Sequence, residues 1–245
     1  MKTSSSWRIE HYSILPSTND YCIERAKAGC NDRLAVIADQ QTAARGSRGR
    51  SWTEPEGHLA LSIMIKPTST FIQSFYWPFI ASLAFYDGVC KTIGNNEKLC
   101  IKWPNDLLGN QKKLGGILIE SQIQYPNLIE WIVIGFGLNI KNKPVSLDRP
   151  VSCLADISGF LPKPIVFAKF ILESFSYWED IAIQKGFPNI RNAWMQRSFP
   201  IGTAMSVSLH KKKIDGLYQG INQEGILLLQ TKNGLEKIAI GEIFL

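Results

Sequence analysis

The stretch Gln41-Thr42-Ala43-Ala44-Arg45-Gly46-Ser47-Arg48-Gly49-Arg50-Ser51-Trp52 holds three arginines and two glycines in one short connection. It lies between two apolar, β-type runs, Leu34 to Ala38 and Leu59 to Ile65, the second stopped by Pro67. No regular element favours such a composition. Glycine reaches positive φ and lets backbone approach a ligand closely, and guanidinium forks bind phosphate or carboxylate bidentately. Three readings fit: a mobile loop closing over an anionic small molecule, a solvated basic loop, or an arginine-rich nucleic-acid segment.

Outward from this loop, Ser17 or Thr18 is a natural N-cap for a helix from about Asn19 to Ala28, closed by Gly29. Helical spacing runs from Phe71 to Ile93 and ends at Gly94, and a strand-like run from Leu99 to Trp103 leads into a Pro104-Asn105-Asp106 turn. Leu114 to Ile123 and Leu128 to Ile134 read as a hairpin around Tyr125-Pro126-Asn127. A long helix is expected from Pro164 to Lys185, with Phe167, Phe170, Ile171, Phe175 and Trp178 on its core stripe and Gly186 past its end. Core packing is also the default for Trp7, Trp77, Trp131 and Trp194. After Phe199-Pro200 only short strand candidates remain: Met205 to Leu209, Gly216 to Asn222, Gly225 to Gln230 and Glu236 to Ile240. The pattern predicts an α+β fold with a small β appendage, divided as 1–198 and 199–245.

The 245 residues are 45% hydrophobic and 20% charged, ordinary values for a globular chain with a real core. A net charge of +6 suits anionic substrates, an acidic partner or weak nucleic-acid contact, without choosing among them. The N-terminus has no secretory pattern, and Pro78 and Asp87 interrupt the apolar run from Phe75 to Val89, so no membrane association and a cytoplasmic location are expected. The five cysteines are scattered and never spaced C-x-x-C, and His11, His58 and His210 are not placed to share a metal.

Two further segments carry chemistry. Lys102-Trp103-Pro104-Asn105-Asp106 ends a strand in a turn bearing an amide and a carboxylate, and the chain returns through Lys112-Lys113-Leu114-Gly115-Gly116-Ile117. A carboxylate and a lysine near an arginine loop suit a metal-bound nucleotide phosphate; an Asx turn flanked by solvated lysines is the equal alternative. Gly135-Phe136-Gly137-Leu138-Asn139-Ile140 follows a β run, and its glycines would let a ligand lie on the strand, with Asn139 offering an amide to a heteroaromatic ring. Packing glycines would explain it equally, and neither a dinucleotide fingerprint nor a P-loop is present.

Taken together and in order, with Ser17-Thr18-Asn19 upstream, these segments resemble the biotin protein ligases. The resemblance runs from about His11 to Leu245 and includes Gly220-Ile221-Asn222, Gly225-Ile226-Leu227-Leu228 and Gly241-Glu242-Ile243 near the end. It implies a class II synthetase-like catalytic domain, a central mixed β-sheet with flanking helices, followed by a small SH3-like β-barrel. It also implies a two-step reaction: biotin and Mg-ATP give biotinyl-5′-adenylate, and the acyl group passes to a lysine of a biotin carboxyl carrier protein. By position, Ser17, Thr18, Asn19, Gln41, Arg45, Gly46, Ser47, Lys113 and Gly116 would line the biotin end. Arg48, Trp52, Asn105, Asp106 and Asn139 would serve the nucleotide, Asp106 would face its Mg²⁺, and Lys113, Arg45 and Asp106 would be catalytic.

The chain departs from the family pattern at two positions. Ala44 stands where many relatives have glycine, and Ser47 replaces an arginine that helps hold the adenylate, so faster escape of the intermediate is expected. Only 16 residues precede Ser17, which leaves no room for the winged helix of repressor relatives, so no operator DNA is expected as a partner. A homodimer through an exposed strand edge stays open. The rivals are a lipoate ligase or transferase of the same fold and a basic nucleic-acid-binding module, the latter weakened because only Tyr218 lies near Lys211-Lys212-Lys213, which reads as a solvated turn.

Overall fold

The computed structural model describes residues 6–30, 33–53, 56–67, 74–94, 98–124, 128–144, 150–209 and 212–244. The expected Tyr125-Pro126-Asn127 turn, the helix start at Phe71, His210, Lys211 and the Arg48 side chain lie outside the described residues.

A seven-stranded mixed sheet forms the centre. Its strands are β1 (Arg8–Leu15), β2 (Leu34–Gln41), β3 (His58–Ile65), β4 (Leu99–Lys102), β5 (Asp106–Gly109), β6 (Lys112–Gln124) and β7 (Leu128–Asn139), in the order β1-β2-β3-β7-β6-β5-β4. Among these described strands only β1 and β2 pair in parallel. β3 is buried along its whole length, which its nearly unbroken apolar sequence requires. Among the described residues four α-helices flank the sheet: α1 (Thr18–Lys27), α2 (Trp77–Ile93), α3 (Pro164–Lys185) and α4 (Phe187–Arg197). None of the described helices is long and apolar enough to cross a membrane.

The two sheet faces differ. On one, Leu59, Leu61 and Ile63 of β3 and Ile132, Ile134, Phe136 and Leu138 of β7 join the main core with Phe85 of α2 and Phe167, Ile171 and Phe175 of α3. On the other, Cys22 and Ala26 of α1 pack on Leu34, Val36, Met64, Trp131 and Val133. Alternate strand residues point to opposite faces, so Gly135, Gly137 and Asn139 of β7 fall on the α1 face, Gly135 beneath Asn19 of that helix. The Gly135–Asn139 segment therefore lies within the strand, and its glycines leave room on this face for the Asn19 and Trp52 side chains.

Four elements went unread in the sequence, the short C-terminal strand Glu242–Phe244 among them. β1 alternates weakly because it is an edge strand with mostly exposed or half-exposed residues. β5 is four buried residues, too short for a period, joined to β6 through Asn110 and Gln111 at φ 51° and 62°, the two-residue primed turn that hairpins favour. α4 follows directly on Gly186, whose φ of 70° breaks the helical path between α3 and α4.

The C-terminal strands β8 (Ala204–Leu209), β9 (Lys212–Ile221), β10 (Leu227–Thr231), β11 (Gly234–Ile238) and β12 (Glu242–Phe244) form a five-stranded antiparallel sheet ordered β11-β10-β9-β8-β12. Its Val207, Tyr218, Ile221 and Leu229 belong to the same apolar cluster as α2 and α4. Trp103 Nε1 donates to Gly225 O at 3.2 Å, and Lys102 Nζ to Ile243 O at 3.2 Å, fixing this sheet beside the β4–β5 turn.

Candidate active site

The open half of the α1 face is a cavity whose walls come from α1, the Arg/Gly loop, β3, β6 and β7. Its floor is polar and buried, with Ser17, Thr18, Asn19 and Ser62 nearly inaccessible. Ser17 caps α1 by accepting from Asp20 N at 3.2 Å, which satisfies an otherwise orphaned helix donor. Gln41 Oε1 accepts from Thr18 N at 2.6 Å and Thr18 Oγ1 at 3.0 Å. Asn19 Nδ2 donates to Glu120 Oε2 at 2.8 Å, and Ser62 Oγ lies 2.6 Å from Asn19 Oδ1 and 2.7 Å from Thr18 Oγ1. A Cβ at Gly135 would come within 2.3 Å of Asn19 Oδ1, so that glycine makes room for a side chain of the floor. Ser62 was missed in the sequence, although a lone hydroxyl in an otherwise apolar buried strand was the available signal.

The loop over the cavity is a small hairpin. Gly46 N donates to Arg50 O at 2.7 Å and Trp52 N to Ala44 O at 3.0 Å, around a 3₁₀ turn at Ser47–Gly49. Its base is tied to the end of β1, with Thr42 N on Leu15 O and Ala43 N on Pro16 O. Gly46 and Ser47 line the cavity. The Arg45 guanidinium is engaged by two carboxylates: it forks onto Glu120 at 3.0 and 2.8 Å and meets Asp20 at 2.5 Å. The hydrogen bond to Glu120, partly offset by burial and reinforced by Asp20, holds its proton more firmly than usual. Arg50 reaches across to Glu242 at 3.2 Å.

Trp52 lies on the glycine cradle, where a Cβ at Gly137 would meet its ring at 2.8 Å and one at Gly116 at 3.5 Å. Lys113 Nζ stands 5.5 Å from the centre of that ring, within cation–π range. Lys113 lines the cavity wall, and behind it Asp106 is buried between two ammonium groups, Lys113 at 2.5 Å and Lys102 at 3.2 Å. Burial pushes the Asp106 carboxyl up, but the two lysines outweigh it and hold it below the ordinary carboxylate range. Asn105, in the turn that contains the cis Trp103–Pro104 bond, donates from Nδ2 to Ile117 O at 2.8 Å and supports the glycine strand.

This arrangement bears on a metal. Both Asp106 oxygens face ammonium groups, and the described residues contain no group of three or more His, Cys, Asp or Glu side chains able to hold an ion. The donor set therefore does not fit a resident divalent cation, and the expectation that Asp106 faces the nucleotide's metal meets a carboxylate already paired.

Asn139 is 2% exposed and its Nδ2 donates to Ser152 O at 3.1 Å, while Oδ1 has no partner among the described residues. A carbonyl can only accept, so Ser152 fixes which end of the amide is which. The side chain thus presents an acceptor, and it lines the same cavity as Trp52 and Lys113. Ser152, like Glu120 and Asp20, lay outside the recognised segments and has no local sequence signal.

A glycine-floored cavity under a basic loop, with a net positive lysine cluster at its wall and an antiparallel sheet against it, defines a catalytic domain built to enclose an anionic small molecule. The chain belongs to the biotin/lipoate A/B protein ligase family, which residues 11–139 match, while residues 207–245 match the biotin protein ligase C-terminal domain. A biotin--[acetyl-CoA-carboxylase] ligase of Paracoccus denitrificans is 31% identical over 93% of this chain and 96% of that protein. The bifunctional ligase/repressor BirA of Bacillus subtilis is 30% identical over 95% of this chain and 72% of its own. The same fold is seen in the biotin protein ligase of Aquifex aeolicus solved with biotin and ATP, with a TM-score of 0.81, 22% identity and 97% of each chain covered.

Proposed function

We propose that this chain is a biotin--[biotin carboxyl carrier protein] ligase, in which the biotin carboxylate oxygen attacks the α-phosphorus of ATP, the bond to the β-phosphate oxygen breaks, and pyrophosphate leaves. In the second step a deprotonated carrier lysine attacks the acyl carbon of the adenylate, and AMP leaves. The observation that carries this reading is the placement of Lys113: its ammonium is held by Asp106 and stands beside Trp52 and Gly116 on the cavity wall. Two anions must meet in the first step, and a fixed ammonium in a site shielded from water offsets their repulsion.

Thr18, Asn19, Gln41 and Gly116 suit the biotin end, with loop backbone at Gly46 and Ser47 above it. Trp52, Asn105 and Asn139 suit the nucleotide, and Arg48 is assigned to it with them. The acceptor Oδ1 of Asn139 would take an N–H from the 6-amino group of adenine and would oppose the 6-oxo group of guanine. Magnesium would enter as part of the Mg-ATP substrate. The C-terminal sheet, 199–245, is read as a second unit that shares the core of 1–198. If a second copy of the chain binds, the outer part of β6 beyond its β5 pairing offers a strand edge.

The test is mass spectrometry of the purified protein incubated with Mg-ATP and either biotin or lipoate, beside Asn139→Ala. Biotinyl-adenylate from the wild type, with the ATP requirement raised about tenfold in the variant for a lost buried acceptor, is the expected result. Adenylate from lipoate alone would move the reading to the lipoate branch, and none from either acid would remove it.

A further inference from the structure

Arg45 is one of the loop cations that an anionic ligand would be expected to use, yet its guanidinium is already committed. NH1 and NH2 fork onto the two oxygens of Glu120, and NH2 also meets Asp20. One positive charge thus faces two negative ones. The carboxylates come from different elements: Asp20 from the first turn of α1, Glu120 from β6. Glu120 Oε2 also accepts from Asn19 Nδ2, so the same carboxylate supports the cavity floor and the loop above it. Arg45 itself pairs with Ser51 across the loop hairpin, so fixing its side chain fixes both arms.

We propose that Asp20 and Glu120 are positioning residues that clasp Arg45 and hold the 44–52 loop over the cavity. Arg45 then serves the reaction through the place it gives Gly46 and Ser47, and its charge is not spent on the ligand. A bidentate guanidinium–carboxylate pair gives direction as well as energy, and a second carboxylate limits rotation of the fork. The side chains are 38% (Arg45), 45% (Asp20) and 27% (Glu120) exposed, so the clasp can open without unfolding the core.

The consequence for the intermediate rests on the proposed ligase reaction; the holding of the loop does not. The experiment therefore reads the two separately. Limited trypsin digestion of the ligand-free full chain, mapped by mass spectrometry, follows cleavage after Arg48 and Arg50, which requires local opening of the loop. Asp20→Asn with Glu120→Gln is expected to speed cleavage at those two bonds at least tenfold, with each single variant in between. Asp20→Asn, at a half-exposed position, guards against a double variant that does not fold. In parallel, the fraction of biotinyl-adenylate passing into an ultrafiltrate should rise severalfold in the double variant, and Arg45→Lys should restore less retention than the arginine gives. Cleavage within twofold of wild type in both the single and the double variants overturns the clasp. Faster cleavage with unchanged retention overturns its part in the reaction. Absence of adenylate from the wild type would strike the ligase reading and leave the cleavage result to decide the clasp.

Discussion

Two charged clusters flank one cavity, and they are built in opposite senses. In the loop cluster a single guanidinium, Arg45, faces the carboxylates of Asp20 and Glu120 at the rim. In the wall cluster a single carboxylate, Asp106, faces the ammonium groups of Lys102 and Lys113 and is buried. The first leaves a negative balance and attracts no anion; the second leaves a positive balance in a place where solvent screens it weakly. A basic loop can therefore act as a fastener while two lysines of neighbouring strands, Lys102 in β4 and Lys113 in β6, supply the attraction.

The sharpest way to break this contrast is to remove the central partner of the buried cluster. Asp106→Ala removes the buried carboxylate that Lys102 and Lys113 share and should destabilise the fold by about 3–5 kcal/mol in urea titrations, whereas Asp20→Asn should cost less than about 1 kcal/mol. Equal costs would mean that the clusters do not differ in screening. The same contrast appears with pH. Because the folded Asp106 pKa lies below its unfolded value, its contribution is present above the ordinary carboxylate pKa near 4 and is lost as pH falls through the folded value. Asp106→Asn should flatten that acid limb of stability.

Next in size, Lys113→Ala should slow adenylate formation by about 10²–10³-fold, the scale of losing one fixed donor to a developing charge, as followed by quenched mass-spectrometric assay. A loss no greater than that of Arg45→Gln would place the attraction in the loop after all. Ser47→Arg returns a cation to the 3₁₀ turn beyond the clasp and should slow adenylate release severalfold; equal release rates would sink the idea that this serine loosens retention. The smallest effect is expected from salt. Raising sodium chloride from 0.05 to 0.5 M shortens the screening length and should speed trypsin cleavage of the loop a fewfold, while leaving the Asp106 acid limb in place.

Much of this architecture was legible in the chain. Ser17 as a cap, Gly29 as a stop, the buried strands around Leu34 and Leu59, and the α3 stripe of Phe167, Ile171, Phe175 and Trp178 all follow local periodicity and turn chemistry, whereas Phe170, expected on that stripe, is only half-buried and outside the core. The strands β1 and β5 did not, the first because an edge strand need not alternate and the second because four residues carry no period. The site divided in the same way. Lys113, Trp52, Asn139 and the glycines stood in recognisable order, while Ser62, Glu120, Asp20 and Ser152 stood in none.

By itself the sequence determined the elements with a strong local period and the reactive groups grouped in short segments, because hydrophobic spacing, caps and glycine freedom act over a few residues. Only the tertiary structure decided who holds whom. Glu120 reaches Arg45 across 75 positions and Asp20 reaches it across 25, and Ser152 orients Asn139 from the far side of a loop. Charge–charge pairing and hydrogen-bond direction depend on distance in space, and that distance is set only when the sheet places β6, α1 and the loop around one cavity.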